Sequence, residues 1–326
     1  MPDARRRTVT RVLGPVLAAG SLALVAACGS GASPAPSASP TPTPAPTGGS
    51  PAPAATPSRT LTVVASTNVW GSIVGAVAGP GVEVRSIITD PAADPHSYES
   101  TPADAAAISA ADLVVANGGG YDEFVDRVTA SDAGVKAKTI EAFDLRSDPS
   151  TDNEHVWFDA AAVKGVVGQV VDRLAAAEPA QADALRGRGA AFDQQVDGIE
   201  GRLAAIGQAR PGVQTYSTEP IAFYLLRSAG MTDVTPESFL EAVENETDPS
   251  AASLVEVGDG LTARRVGLLV FNPQTETPVI EQLRTRATDA GVPVVDVTET
   301  LPAGQDYLQW LDGNRTALAR AVGAPA

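Results

Sequence analysis

Histidine occurs twice in the 326 residues of this chain. His96 lies in Asp94-Pro95-His96-Ser97-Tyr98-Glu99, and His155 in Asn153-Glu154-His155-Val156-Trp157-Phe158-Asp159. A neutral imidazole is the commonest protein ligand for transition metals. A chain that reserves histidine for two such contexts therefore points to metal binding. The spacing leaves a second possibility, two unrelated loop histidines held by hydrogen bonds, because 59 positions separate them and no local HxxxH pattern is present.

Two carboxylates complete a candidate set. Glu219 lies in Ser217-Thr218-Glu219-Pro220-Ile221-Ala222-Phe223-Tyr224, and Glu299 in Val297-Thr298-Glu299-Thr300-Leu301, each just after an expected strand. Loops after strands are where α/β proteins place ligands. Two imidazoles and two carboxylates suit a borderline or harder divalent ion such as Zn²⁺ or Mn²⁺. On spacing alone, each glutamate equally suits a helix N-terminus, where it would face the macrodipole. Asp94, Glu99 and Asp159 flank the histidines and are candidates to orient their rings from a second layer. Asp94 and Glu99 equally suit solvated loop charges, and Asp159 suits the N-cap of the following helix. Neutral imidazole ligands imply that metal affinity falls below about pH 6.5.

These residues require a scaffold that brings distant loops together. Strand-like runs at 61–65, 82–88 and 112–116 alternate with helical patterns at 69–78 and from Thr101, where Pro102 occupies the first turn. That alternation predicts a mainly parallel sheet flanked by helices. Residues 160–177 read as an amphipathic helix stopped near Pro179. Residues 181–208 contain no proline and keep Leu185, Phe192, Val196, Ile199, Leu203 and Ile206 on one face. This is a helix of about 40 Å at 1.5 Å per residue. It reads as a connector between two α/β lobes, with a helical hairpin inside a single domain as the alternative. A second lobe repeats the pattern, with strands at 212–216, 266–271 and 292–297 and helices at 219–229, 278–290 and 306–322. One continuous connector predicts limited lobe closure.

The N-terminus suggests export. Arg5, Arg6, Arg7 and Arg11 precede an apolar stretch, Val12 to Ala27, which is short for a membrane span. It ends in Val25-Ala26-Ala27-Cys28, a lipobox whose Cys28 is the chain's single cysteine. Cleavage before Cys28 and acylation of its thiol would anchor the protein to the cell membrane, with more than one acyl chain making the anchor stable. Residues 28–59 comprise this cysteine and a tether rich in Ser, Pro, Ala, Thr and Gly, a composition that does not support a core. The expected organisation is therefore a signal peptide at 1–27, the tether at 28–59, a first metal-binding lobe at 60–180, the connector at 181–208 and a second lobe at 209–326.

The net charge of −16 becomes near −19 without residues 1–27. Such acidity argues against nucleic acid as a partner. Asn117-Gly118-Gly119-Gly120 follows a strand but matches neither the dinucleotide nor the P-loop pattern, which argues against nucleotide binding. No HExxH element is present, and four side-chain ligands would leave no open position for a catalytic water. A metal-dependent hydrolase is thus the weaker alternative to a non-enzymatic metal carrier.

Beyond these readings, the chain resembles the metal-type (zinc/manganese) ABC transporter substrate-binding lipoproteins. The resemblance rests on Asp94-Pro95-His96 with Tyr98 and Glu99, on Asn153 with His155-Val156-Trp157 and Asp159, on Glu219 five positions before Tyr224, and on Thr298-Glu299-Thr300 followed by Tyr307 and Trp310. It covers about residues 60–322 and the lipobox. It implies that His96, His155, Glu219 and Glu299 are the metal ligands. It also implies two lobes with the metal cleft between them, a monomer, and delivery of the ion to a membrane permease. Some members carry an adhesin role, which stands as a further alternative. The zinc-scavenging branch often has a histidine at the position of Glu219 and a His-rich loop in the first lobe. This chain has neither, and so is closer to the manganese-type members.

Overall fold

A computed structural model describes residues 59–245 and 247–325. The signal peptide, Cys28 and nearly all of the tether expected from sequence lie outside the described residues. The first sheet is built from β1 (Leu61–Thr67), α1 (Asn68–Ala78), β2 (Val82–Ile88), α2 (Pro102–Ala110), β3 (Leu113–Ala116), α3 (Glu123–Ser131), α4 (Ala133–Ala137) and β4 (Thr139–Glu141). Its strands run parallel in the order β2-β1-β3-β4, with Val63 opposite both Val84 and Leu113. Two long helices follow, α5 (Ala160–Ala177) and α6 (Ala182–Ala209). The second sheet contains β5 (Gln214–Ser217), α7 (Phe223–Ser228), β6 (Thr232–Asp233), α8 (Glu237–Glu244), α9 (Ala251–Thr262), β7 (Leu268–Phe271), α10 (Pro278–Ala290), β8 (Val294–Asp296) and the closing α11 (Tyr307–Ala321). Its parallel order is β6-β5-β7-β8. The two α/β lobes and the long helix match the architecture expected from periodicity.

Local chemistry explains the element ends. The Thr101 hydroxyl accepts from Asp104 N while the Asp104 carboxylate accepts from Thr101 N, a reciprocal capping box ahead of Pro102. All four residues of β7 are buried, as a strand covered on both faces requires. The connector α6 buries Leu185, Phe192, Val196, Ile199, Leu203 and Ile206. It packs on α1 and α5 and also on α7 and α11.

One apolar cluster therefore runs through both lobes. It joins Val63, Trp70 and Val163 to Leu203, Leu268, Val270 and Trp310. Separating the lobes would expose that shared apolar surface, at about 25 cal/mol per Å². At Gly207 the connector backbone packs directly against the backbone at Ala229–Gly230. A Cβ there would lie 2.8 Å from the Ala229 carbonyl oxygen and 3.1 Å from Gly230 Cα.

Two expectations change in detail. The helix expected over 219–229 is an extended Glu219, a single turn of 3₁₀ helix at Pro220–Ala222, and then α7. The segment between Ala229 and Val266, in which no element was foreseen, carries β6, α8 and α9.

Candidate metal centre

Every residue of the candidate site leaves the carboxyl end of a strand, or lies in a loop that starts there. His96 follows β2, His155 ends the long loop after β4, Glu219 follows β5, and Glu299 follows β8. Parallel strand order directs these loops to one end of each sheet, where α/β folds hold ligands.

The loops are cross-tied between lobes. Gln274 Nε2 donates to the Ala93 carbonyl at 2.7 Å, and Thr300 Oγ1 donates to the Pro91 carbonyl at 3.1 Å. These bonds hold the segment leading to His96. Asn153 Nδ2 donates to the Pro220 carbonyl at 3.0 Å, and Tyr224 Oη donates to the Asn153 carbonyl at 3.0 Å. They hold the segment leading to His155. The Asn117-Gly118-Gly119-Gly120 turn supports the same segment through Asn117 Nδ2, which donates to the Glu154 carbonyl at 2.9 Å. Its glycines take φ values of 74°, 73° and 100°. A Cβ at Gly119 would lie 2.6 Å from the Phe143 ring, so the turn is built for close approach to protein.

Three of the four expected ligands converge. Donor atoms of His96, His155 and Glu299 all lie within 4.8 Å of one another, and His96 Nε2 is 3.5 Å from Glu299 Oε2. Bonds of about 2.1 Å in a tetrahedral shell would set ligand atoms about 3.4 Å apart. His96 Nε2, His155 Nε2 and Glu299 Oε2 are all buried, and none has a hydrogen-bond partner among the described residues. Buried polar atoms are rarely left so.

Glu219 is the expected ligand that falls outside this set. Asn272 Nδ2 donates to Glu219 Oε1, and Thr275 Oγ1 donates to its Oε2 at 2.6 Å. The same Nδ2 donates to Glu299 Oε1 at 3.0 Å, so one buried amide bridges both carboxylates. Neither glutamate caps a helix. The backbone of Glu219 is extended with no capping bond, and Glu299 sits in a turn where its N–H donates to Gln274 Oε1 at 2.6 Å. Burial and these contacts decide against the helix-terminus alternative.

The residues expected to orient the rings are replaced by others. Asp94 Oδ1 accepts from the His96 backbone N at 2.9 Å, not from its ring. Glu99 is exposed and, among the described residues, makes no hydrogen bond or ion pair to His96. Asp159 caps α5, accepting from Ala161 N at 3.0 Å and Ser147 N at 2.6 Å. Capping the otherwise unpaired N–H groups at the helix start is the use the structure makes of that carboxylate. The ring of His155 is set by Asn153, whose Oδ1 lies 3.3 Å from Nδ1. An amide oxygen can only accept, so Nδ1 carries the proton and Nε2 presents its lone pair. The His96 ring faces Glu154, with Nδ1 and Oε1 3.5 Å apart.

Glu154 and Glu244 were missed. Glu244 ends α8 and brings Oε1 to 3.6 Å from His155 Nε2 and 3.9 Å from His96 Nε2. No local pattern distinguishes it from Glu237 and Glu241 on the same helix. Phe239 and Val243 are buried on that helix, so helical phase places Glu244 beside the buried stripe.

Electrostatics follow from burying acids without cations. Burial, then Glu219, Asp94 and Glu244, hold the Glu299 carboxyl well above the usual range. Burial raises Glu219 to about 7 against the hydrogen bonds from Thr275 and Asn272. Burial, then Glu219 and Glu154, raise Glu244 to about 9. Burial raises Glu154 to about 7. Burial, with His96 adding to it, puts His155 well below the imidazole range, and burial also lowers His96 against the pull of Asp94. Desolvation thus favours the neutral form of every group. In the metal-free protein, burial thus moves proton uptake near neutral pH from the imidazoles to the carboxylates.

Comparison with known proteins gives a consistent picture. The family described as ZnuA, zinc-uptake complex component A periplasmic, matches over residues 63–321. The manganese-binding lipoprotein MntA of Halalkalibacterium halodurans is 29% identical over 138 residues, 41% of this chain and 45% of that protein. A putative metal-binding protein of Thermotoga maritima is 32% identical over 98 residues, 30% of this chain and 34% of that protein. The matched stretches thus span less than half the length of these curated relatives. The solute-binding protein FpvC from Pseudomonas aeruginosa, solved in complex with Mn²⁺, superposes with a TM-score of 0.66 at 22% identity. That match covers 81% of this chain and 99% of FpvC and establishes the shared fold.

Proposed function

Starting from a chain that belongs to the zinc-uptake complex component A family, we propose that it captures a divalent metal ion, zinc or manganese, outside the cell and delivers it to an ABC-type import permease. The observation that carries this reading is the convergence of His96 Nε2, His155 Nε2 and Glu299 Oε2, three buried atoms without hydrogen-bond partners among the described residues, contributed by both lobes. His96, His155 and Glu299 hold the ion. Glu219 joins them as fourth ligand by exchanging its bond from Asn272 or Thr275 for the metal. The chemistry is binding without catalysis, with the metal as cargo. Four side-chain ligands close the shell to water, as a carrier requires and a hydrolytic metal centre does not.

Acylated Cys28 and the tether hold the carrier at the outer face of the membrane, near its permease. Cys28→Ser then leaves uncleaved precursor or protein shed into the medium, read by fractionation and mass. Cleaved Cys28→Ser protein that stays on washed membranes would refute the anchor. The metal reading is tested by mass spectrometry of tag-free protein for bound metal, followed by competition titrations of Zn²⁺ against Mn²⁺. Protein that binds neither ion above background would refute it. Glu219→His should shift preference toward zinc, because imidazole suits zinc better than manganese.

A further inference from the structure

Resting on the reading of His96, His155 and Glu299 as the inner site, we propose that Glu154, Glu244 and His96 form an outer cation site through which the divalent ion enters. Two overlapping sets share His96, one with His155 and Glu299, the other with Glu154 and Glu244. The His96 ring has one nitrogen toward each side of the outer set, with Nδ1 3.5 Å from Glu154 Oε1 and Nε2 3.9 Å from Glu244 Oε1. The Nε2 atom also lies 3.5 Å from Glu299 of the inner set.

The link between the sets is His155. Its Nε2 is buried, has no hydrogen-bond partner among the described residues, and lies 3.6 Å from Glu244 Oε1. A cation held by Glu244 is therefore already within a bond's reach of an inner ligand. It can exchange carboxylate for imidazole without passing through a state bare of ligands.

The approach to this pair is built for cations. A cleft of about 550 Å³ lies between the 151–154 loop and α8, with Glu154 and Glu244 in its lining. Asp152, Glu237 and Glu241 line it, and its lining includes no lysine or arginine. A low-dielectric cleft of one charge sign concentrates counter-ions. Glu244 is also the last residue of α8, where the negative end of the helix dipole adds to the attraction. A hydrated divalent ion sheds water reluctantly. An outer pair of carboxylates replaces its waters one at a time before the buried set receives it; the ion keeps its charge, each metal–donor bond broken is matched by one formed to the next ligand, and protons displaced from the carboxylates pass to solvent.

The test is stopped-flow binding of Zn²⁺ and of Mn²⁺ to tag-free protein, followed by the fluorescence of Trp157, whose ring centroid is 5.2 Å from that of His155. Glu244→Gln and Glu154→Gln should each slow association about tenfold or more, and the double variant should be no slower than about twofold below the slower single, since the pair acts as one site. Metal stoichiometry and the Mn²⁺ electron paramagnetic resonance spectrum should match the parent. Glu276→Gln, an exposed acid in the adjoining cleft with Asp94, should bind at the parent rate. The proposal is overturned if Glu244→Gln associates at the parent rate. It is also overturned if its defect lies wholly in dissociation, or if Glu276→Gln slows equally, because bulk charge would then explain the effect. Failure of the parent protein to bind metal, or parent-like affinity in His155→Ala, would instead refute the inner site.

Discussion

Raising the pH should tighten metal binding through the carboxylates, with protons leaving as the ion arrives. At pH 7 in the metal-free protein, Glu244 at about 9 carries its proton, Glu219 and Glu154 at about 7 are half protonated, and Glu299 is held well above its ordinary value. The imidazoles are already neutral, because burial lowers both. An arriving dication displaces the proton on Glu299 and draws down those of its neighbours, releasing about one to two protons. Each released proton makes affinity rise about tenfold per pH unit, or about 1.4 kcal/mol. From about pH 6 to about pH 8, affinity should therefore climb by roughly two to four orders of magnitude. Calorimetry near pH 7 in buffers of different ionisation enthalpy gives the proton count directly, and competition titrations across the range give the slope. No proton release together with a flat affinity above about pH 6.5 would refute the reasoning, since the imidazoles alone would then set the profile. Stability of the metal-free protein carries the matching sign. An acid whose folded value is raised contributes fully below its unfolded value and loses that contribution as pH rises through the folded value. For Glu244 that window runs from 4.5 to about 9. The lowered imidazoles act oppositely, their contribution being lost as pH falls below 6.5. Metal-free protein should melt at a progressively lower temperature toward pH 9, and saturating metal should flatten the decline.

Other perturbations test separate parts of the structure. His96→Ala and His155→Ala should each weaken Zn²⁺ and Mn²⁺ binding by roughly 100-fold or more, beyond the 10–100-fold typical of outer partners, with cooperative melting retained; parent-like titrations would refute the assignment. Asn272→Leu removes the amide shared by Glu219 and Glu299, and should lower metal affinity by about 10–100-fold while circular dichroism stays native. Gly207→Ala forces a Cβ to 2.8 Å from a backbone oxygen that cannot swing away. It should cost about 1–3 kcal/mol in thermal or denaturant unfolding, and unchanged stability would mean the connector shifts freely on the second lobe.

Much of the scaffold was open to reading from local pattern, because helix and strand periodicity reside in neighbouring residues. Helix 160–177 and strand 82–88 emerge with the expected ends, and the connector shifts by one residue at each end. The histidine motifs were equally legible, since a rare side chain in a charged, aromatic context stands out in any window. The carboxylates were not. Glu219, Glu244 and Glu299 look alike in sequence, and what separates them is burial and whether a hydrogen bond already occupies their oxygens. Those properties depend on the sheet orders β2-β1-β3-β4 and β6-β5-β7-β8, which bring loops from both lobes to one place. Strand order is a long-range outcome that no local pattern encodes. The sequence by itself determined that two imidazoles were available and what elements would carry them. Tertiary packing decided that Asn153 orients His155, that Asn272 engages Glu219, and that Glu244 reaches the histidines, because only the packed chain sets how far each charge lies from water and from the next.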